Sequence, residues 1–297
     1  MIRMILNKLF TLRTRAPYAL LATLVLLFVA MAAKADGPPK RIITLSNALS
    51  ETVWALGYGN AIVATDVTSQ YPVQVKNLPK VSKNRSVSSE VLLSFSPDLV
   101  LAPEKEVSST LRYQLKNAGV KLITINQTYS ATGAVDFIKK VAKAIGDPEK
   151  GEQLAATTKQ QINEEIAKVK TDKTKPKKVL FIYARGAGTM TVAGNGSQMA
   201  EIIELAGGTN AIKEFNEFKP YSTETLVRTD PDVILLFDFG LNSLGGTKSV
   251  LQMPGVMATK AGKNNAIVQV DGPLMVNFSS RLGEAISTLH QKLAAIK

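Results

Sequence analysis

The chain has 297 residues, with 36 Lys and Arg against 24 Asp and Glu, one His and no Cys. The lack of Cys excludes a disulfide framework, a thiolate metal site and a thiol nucleophile, and the single imidazole, His290, excludes a three-histidine zinc site and an HExxH protease. A Ser-His-Asp triad would have to run through His290. At 45% apolar and 20% charged residues the composition is that of a globular protein of about two domains.

Met1 to Arg15 carry Arg3, Lys8, Arg13 and Arg15 and no acid, and Ala16 to Ala33 carry no charge. Ala33-Lys34-Ala35 has the small-x-small form of a signal-peptidase site. These regions stand in the order of a secretory leader, so residues 1–35 are expected to be removed and Asp36 to open the mature chain. A retained anchor is the alternative; its 18 uncharged residues are at the short end of a membrane span and include Pro17, Tyr18 and Thr23. With no Cys to acylate, the expected form is a free protein of a Gram-negative periplasm. Without the leader's five basic residues, 31 basic face 24 acidic ones, or +7. The basic run Lys168 to Lys178 has no interleaved aromatics, so it reads as a solvated helix end and linker rather than a nucleic-acid surface.

The mature chain reads as two related halves. Arg41-Ile-Ile-Thr-Leu45 is a short β-branched strand; an amphipathic helix follows over Leu49 to Leu56 and stops at Gly57, and Ala61-Ile-Val-Ala64 is the next strand. After Pro176, Lys178-Val-Leu-Phe-Ile-Tyr183 is again a strand, followed by a Gly-rich turn and a helix from about Ser197 to Leu205. Asn60-Ala61-Ile62 in the first half is matched by Asn210-Ala211-Ile212 in the second. A longer match pairs Ser88-Ser-Glu90 and Pro97-Asp98-Leu-Val-Leu101 with Ser222-Thr-Glu224 and Pro231-Asp232-Val-Ile-Leu235. Each Ser is placed to cap a short helix and each Glu to lie in its first turn, where the helix dipole favours an anion. Each Pro-Asp ends that helix and opens a buried strand. The repeat implies a duplicated βα unit, parallel sheets and helices on both faces.

Between the halves, Ala134 to Ile145 is helical in pattern and broken at Gly146-Asp-Pro148, and Glu149 to about Val169 is a longer polar helix. One helix joining two α/β lobes would leave a cleft between them, a common ligand site. The predicted organisation is therefore a leader (1–35), an N-terminal α/β lobe (36–145), a connecting helix (146–175) and a C-terminal α/β lobe (176–297).

The phrases Thr68-Ser-Gln-Tyr-Pro72, Leu78-Pro-Lys-Val81, Val192-Ala-Gly-Asn-Gly196, Leu205-Ala-Gly-Gly-Thr-Asn-Ala211, Met253-Pro-Gly-Val256, Ala261-Gly-Lys263 and Val270-Asp-Gly272 running to Phe278, together with the doubled Glu…Pro-Asp motif, resemble the periplasmic binding proteins that carry haem, vitamin B12 and ferric siderophores to ABC importers. The resemblance covers Arg41 to the C-terminus and is strongest to the haem branch. It implies two Rossmann-like α/β lobes joined by one long helix, with ligand in the cleft between them. It also implies that Glu90 and Glu224, one per lobe, engage Arg residues of the two permease subunits. A pseudo-dyad in one chain suits a true dyad in its partner. The bland alternative is that both Glu only complement helix dipoles, worth about 0.3–1 kcal/mol each.

The ligand site departs from the family pattern. Relatives place an iron-binding Tyr in Gly-Tyr-x-Arg after Leu-Pro-x-Val; here the phrase is Ser82-Lys83-Asn84-Arg85. Some relatives carry a His in the turn after the second-half strand, where this chain has Arg185. An ammonium is no ligand for iron until deprotonated, whereas a phenolate suits ferric iron. Three readings stay open. Haem is held by propionate contacts to Lys83, Arg85 and Arg185, since an Arg fork pairs with a carboxylate bidentately. Alternatively, Tyr71, Tyr183, Tyr221 or Met275 ligates the iron. In the third reading the ligand is another anionic metal chelate, a ferric siderophore or cobalamin. Lys83 and Arg85 could equally be ordinary loop charges, and Tyr71, Met275 and Phe278 ordinary packing residues. The metal ligand set is unknown at this point.

The rest is less specific. The stretch Gly186 to Gly196 lacks the Gly-Lys-Ser/Thr of a phosphate loop. Trp54 reads as core and His290 as a surface residue. Asn126-Gln-Thr128, Asn195-Gly-Ser197 and Asn277-Phe-Ser279 match the glycosylation triplet only formally. The expectation is a monomeric, non-enzymatic carrier of haem as a transported ligand, partnered by a permease dimer in the inner membrane. The rival class is a secreted hydrolase on the same two-lobed scaffold.

Overall fold

In the computed structural model, residues 37–82 and 86–296 are described. The predicted leader lies outside them. β1 (Ile42–Thr44) runs parallel to β2 (Ile62–Thr65) on one side and to β3 (Leu99–Pro103) on the other, and β4 (Lys121–Ile125) completes the order β2-β1-β3-β4. All of β1 is buried, as a parallel strand covered on both faces requires. Between β1 and β2, α1 (Asn47–Val53) is buried throughout; the Ser46 hydroxyl caps it by accepting the Leu49 N–H at 3.3 Å. Trp54, expected in the core, is partly buried against it in the turn beyond α1.

In the second half, β5 (Lys178–Ala184) is followed by β6 (Met190–Ala193), β7 (Thr209–Asn210), β8 (Phe218–Pro220), β9 (Val233–Phe237) and β10 (Ile267–Val270). β7, β5, β9 and β10 are mutually parallel neighbours in that spatial order, which reproduces β2-β1-β3-β4. The expectation of wholly parallel sheets fails here. β6 lies antiparallel to β5, and β8 antiparallel to β6. The cause is local: Gly186, at φ 78°, lets the chain reverse at once, with the Thr189 N–H donating to the Gly186 carbonyl at 3.2 Å, so β5 continues into a hairpin instead of a helical crossover.

The doubled motif builds the same unit twice. α2 (Ser89–Ser94) is capped by Ser88, whose hydroxyl accepts the Val91 N–H at 3.3 Å, and carries Glu90 in its first turn. α3 (Ala131–Ile145) and α4 (Pro148–Thr171) follow; Ser130 caps the first, and Asp147 with Pro148 opens the second. α5 (Thr223–Thr229) is capped by Ser222, which accepts the Thr225 N–H at 3.1 Å, and carries Glu224 in its first turn. The two Pro-Asp aspartates do more than start a strand. Asp98 accepts the Arg41 N–H at 3.1 Å and Asp232 accepts the Lys178 N–H at 2.8 Å. Each thereby pins the first strand of its half in register against a parallel neighbour, β1 against β3 and β5 against β9. The basic side chain at the same place closes the Glu-bearing helix: Arg41 Nε reaches the Ser96 carbonyl at 2.9 Å, and Lys178 Nζ the Thr229 carbonyl at 2.8 Å.

α4 packs on α3 and on the C-terminal helix of the second half, Leu282–Ala294. Gly151 allows the approach to α3, since a Cβ there would lie 2.4 Å from the Ala142 methyl. Among the other helices of the second half are α6 (Asp238–Ser243), α7 (Gly272–Val276) and α8 (Leu282–Ala294). His290 on α8 is not the surface residue expected. Its Nδ1 lies 3.0 Å from the Ala206 carbonyl and its Nε2 2.9 Å from Asp172, so it ties α8 to the end of α4.

Candidate functional site

Open parallel sheets bind ligands outside the carboxyl ends of their strands, where neighbouring strands connect in opposite directions. In the second half that point lies between β5 and β9, and an aromatic wall stands there. Tyr183, near the end of β5, is 6.2 Å from the Phe237 ring and 5.7 Å from the Phe239 ring, both edge-on. Arg185 lies over the wall at 5.4 Å from Phe239, and its Nε donates to the Tyr183 hydroxyl at 2.6 Å. Phe239 is 41% exposed, a large apolar ring left in solvent beside a cation. This surface suits a flat apolar ligand with anionic substituents.

In the first half, the matching edge is the loop after β2. Asp66 accepts the Ser69 hydroxyl at 2.6 Å and the Thr68 hydroxyl, and Ser69 Oγ lies 2.7 Å from Ser50 Oγ of α1. Lys80 Nζ donates to Thr65 Oγ1 at 2.8 Å and to the Ser69 carbonyl at 2.9 Å. Burial lowers its pKa, against the pull of Asp66. Lys80 therefore fastens this loop, which gives the Leu78-Pro-Lys-Val81 phrase a structural role. Tyr71 stands on the same loop, 42% exposed. Lys83 and Arg85 lie outside the described residues.

The two strand-end faces meet through a segment that sequence reasoning passed over. Asn277 Nδ2 and Ser279 Oγ, just after α7, donate to the Glu51 carboxylate on α1 at 2.9 and 2.7 Å. Gln127, beyond β4, donates to the Asn277 and Phe278 carbonyls, the latter at 2.9 Å, and the Tyr129 ring meets Phe278 edge-on at 5.6 Å. The Arg281 guanidinium lies 3.7 Å from the centre of the Tyr71 ring. The formal glycosylation triplet at Asn277 is thus an interlobe contact.

Two ligand candidates are corrected. Met275 is fully buried in the second-half core, packed with apolar neighbours, and presents no sulfur to a cleft. The Tyr221 hydroxyl is buried as well. Tyr183 and Arg185 are brought together; Tyr71 stands on the opposite lobe's face. Glu90 and Glu224 are exposed on equivalent helices, and neither forms an ion pair among the described residues. Among the described residues no group of three or more His, Asp or Glu could hold a metal ion, and no helix is long and apolar enough to cross a membrane. The exposed face of α4 along Ala156 to Ala167 is an open surface without aromatic residues, so it does not compete with this site.

The family model for periplasmic binding proteins matches residues 42–274. The chain belongs to the periplasmic binding protein family. Two solved relatives, the periplasmic haem-binding protein RhuT of Roseiflexus sp. RS-1 and the haem-binding protein BhuT in complex with two haems, superpose with TM-scores of 0.82 and 0.81 at 33% and 34% identity, each over 86% of this chain and 98% of the relative. Among curated proteins, an uncharacterised ABC-transporter substrate-binding lipoprotein of Bacillus subtilis is 28% identical over 86% of this chain and 80% of its own length. A vitamin B12-binding protein of Vibrio parahaemolyticus is 27% identical over 70% of this chain and 74% of its own. This member is accordingly a substrate-binding protein of an ABC importer, in the branch whose ligands are haem, cobalamin and related chelates.

Proposed function

We propose that this binding protein captures ferric haem in the periplasm, holds it between the strand-end faces of its two lobes, and delivers it to an inner-membrane permease without chemical change. The Arg185 to Tyr183 hydrogen bond on an exposed aromatic wall carries the reading. The phenol oxygen keeps lone-pair capacity for iron, and the guanidinium supplies positive charge beside the anionic ligand that iron binding creates. Phe239 offers a stacking face, and remaining guanidinium donors are available to a propionate. Among solved haem-binding relatives are separate alanine variants of a tyrosine and of an arginine two positions later, the spacing of Tyr183 and Arg185. Glu90 and Glu224 dock the permease subunits, supported by their equivalent, exposed placement on helices of matching design.

Ferric haem titrated into the protein is expected to shift the Soret band and saturate near a whole-number ratio. Tyr183→Phe should change the bands that report the axial ligand, and Tyr71→Phe should leave them in place. Cobalamin is the second reading, favoured by the B12-binding relatives. A protein that leaves the haem spectrum unaltered and binds cyanocobalamin would establish it and remove haem.

A further inference from the structure

One charged group at the lobe contact has no part in that capture scheme. Glu51 is 2% exposed, on a helix whose seven residues are all buried. Burial raises its pKa above the ordinary value, opposed by Ser279, Arg281 and Asn277 and assisted by Glu284. An uncharged side chain of similar size would fill the place without that cost. The charge is therefore to be explained by what it acts on, and the group in reach is Arg281.

Arg281 Nε and Nη2 form a fork on Glu284 at 2.8 and 2.9 Å, and Nη1 leans toward Glu51 at 3.7 Å. With its fork occupied, the guanidinium presents its flat face to the Tyr71 ring. The backbone leading to it is itself constrained. Phe278 sits at φ 43°, a left-handed conformation that a bulky residue seldom adopts without support. That support comes from the other lobe: Gln127 on two carbonyls, and Glu51 on the two flanking side chains.

We propose that Glu51 is a positioning residue of the cleft: it holds the segment Asn277–Arg281 of the C-terminal lobe against the N-terminal lobe, sets Arg281 over Tyr71, and so fixes the orientation of the Tyr71 ring at the cleft before ligand arrives. Gln at position 51 isolates the charge. Its carbonyl can accept from Asn277 and its amide can donate to Ser279, so only the attraction on Arg281 is lost. The consequence for affinity rests on the capture function proposed above; the consequence for the empty cleft does not.

The test combines E51Q, R281A and the double variant in the full-length protein. In the absence of ligand, hydrogen–deuterium exchange of residues 66–76 and 277–284 is expected to quicken on the order of tenfold in E51Q, with β5 and β9 unchanged. R281A should reproduce the effect in 66–76, and the double variant should add nothing to it. Exchange in 66–76 that is unaltered in E51Q, or effects that add in the double variant, would overturn the proposal. With ferric haem as probe, E51Q should weaken binding several-fold with no loss of Tm; unchanged affinity, or a loss that follows a loss of Tm, counts against it. If the wild-type protein takes up no haem, the capture function fails and the exchange measurement still decides the role of Glu51.

Discussion

The two lobes share a plan and differ in what they show to a ligand. Both have a four-stranded parallel core in the same order, a serine-capped helix with an exposed Glu, and an aspartate that pins the first strand. The N-terminal lobe edges its face with a hydroxyl-rich loop tied down by Lys80. In the C-terminal lobe β7 stops after two residues, and the hairpin strand β6 takes its place along the carboxyl half of β5, where Arg185 and the aromatic wall stand. What the halves hold in common therefore lies in the scaffold and the outward helices, and what divides them lies at the strand ends. Equivalent outward groups suit a two-fold partner; unlike inner faces suit a ligand that need not be symmetric.

Breaking the shared part should have the largest effect. Glu90→Ala with Glu224→Ala is expected to abolish uptake while ligand affinity, measured by titration, stays as it was; lost affinity would mean that these helices serve the cleft. Next comes the unlike part. Arg185→Ala removes charge-assisted hydrogen bonding worth about 1.5–3 kcal/mol, so haem affinity should fall roughly tenfold to a hundredfold. An unchanged dissociation constant would move the ligand off the aromatic wall. A smaller effect tests whether the pins are equivalent. Asp98→Ala and Asp232→Ala should each lower unfolding stability by about 1–2 kcal/mol in urea titrations, because the first leaves the Lys40 and Arg41 N–H groups, and the second the Lys178 N–H, without that acceptor. Effects of very different size would show that one half dominates the stability of the whole.

The smallest effect concerns the seam between the lobes. Burial raises the Glu51 pKa, so the folded state holds the proton more tightly than the unfolded chain does. That stabilisation is complete below the ordinary pKa of 4.5 and is lost as pH rises through the higher folded value. Glu51→Gln does not titrate. Relative to wild type, the variant should gain stability between pH 4.5 and pH 7, read from urea midpoints at both values. A change of opposite sign would mean that Arg281 outweighs the burial of the carboxylate.

The common plan was largely legible in the sequence, because it repeats. Two copies of Ser-x-Glu and Pro-Asp at one spacing fixed the capped helices and the strands after them, and the helix boundaries held to within a few residues. The hairpin after β5 was not legible, because a Gly-rich turn serves equally before a helix or a strand. Tyr183 and Arg185 stood out by type, yet their hydrogen bond came only with the fold. Met275 shows the converse, since an apolar stretch does not say whether it faces a cleft or a core. Glu51 and Asn277 are 226 positions apart, and neither has a local pattern that points to the other. The available signal was an acid within a helix otherwise fit for complete burial.

The long reach of that contact bears on the order in which the molecule assembles. The pins at Asp98 and Asp232 close loops of 57 and 54 residues, each within its own half. The bond from Asn277 to Glu51 spans about four times as much chain, which adds about 1 kcal/mol of closure entropy if it forms from an open chain. Formed after both sheets exist, it meets only the freedom left to two preformed bodies. Closing each half first and docking Asn277–Arg281 afterwards is therefore the order of lower entropic cost, and the contacts that support the left-handed turn at Phe278 exist only when both halves are in place.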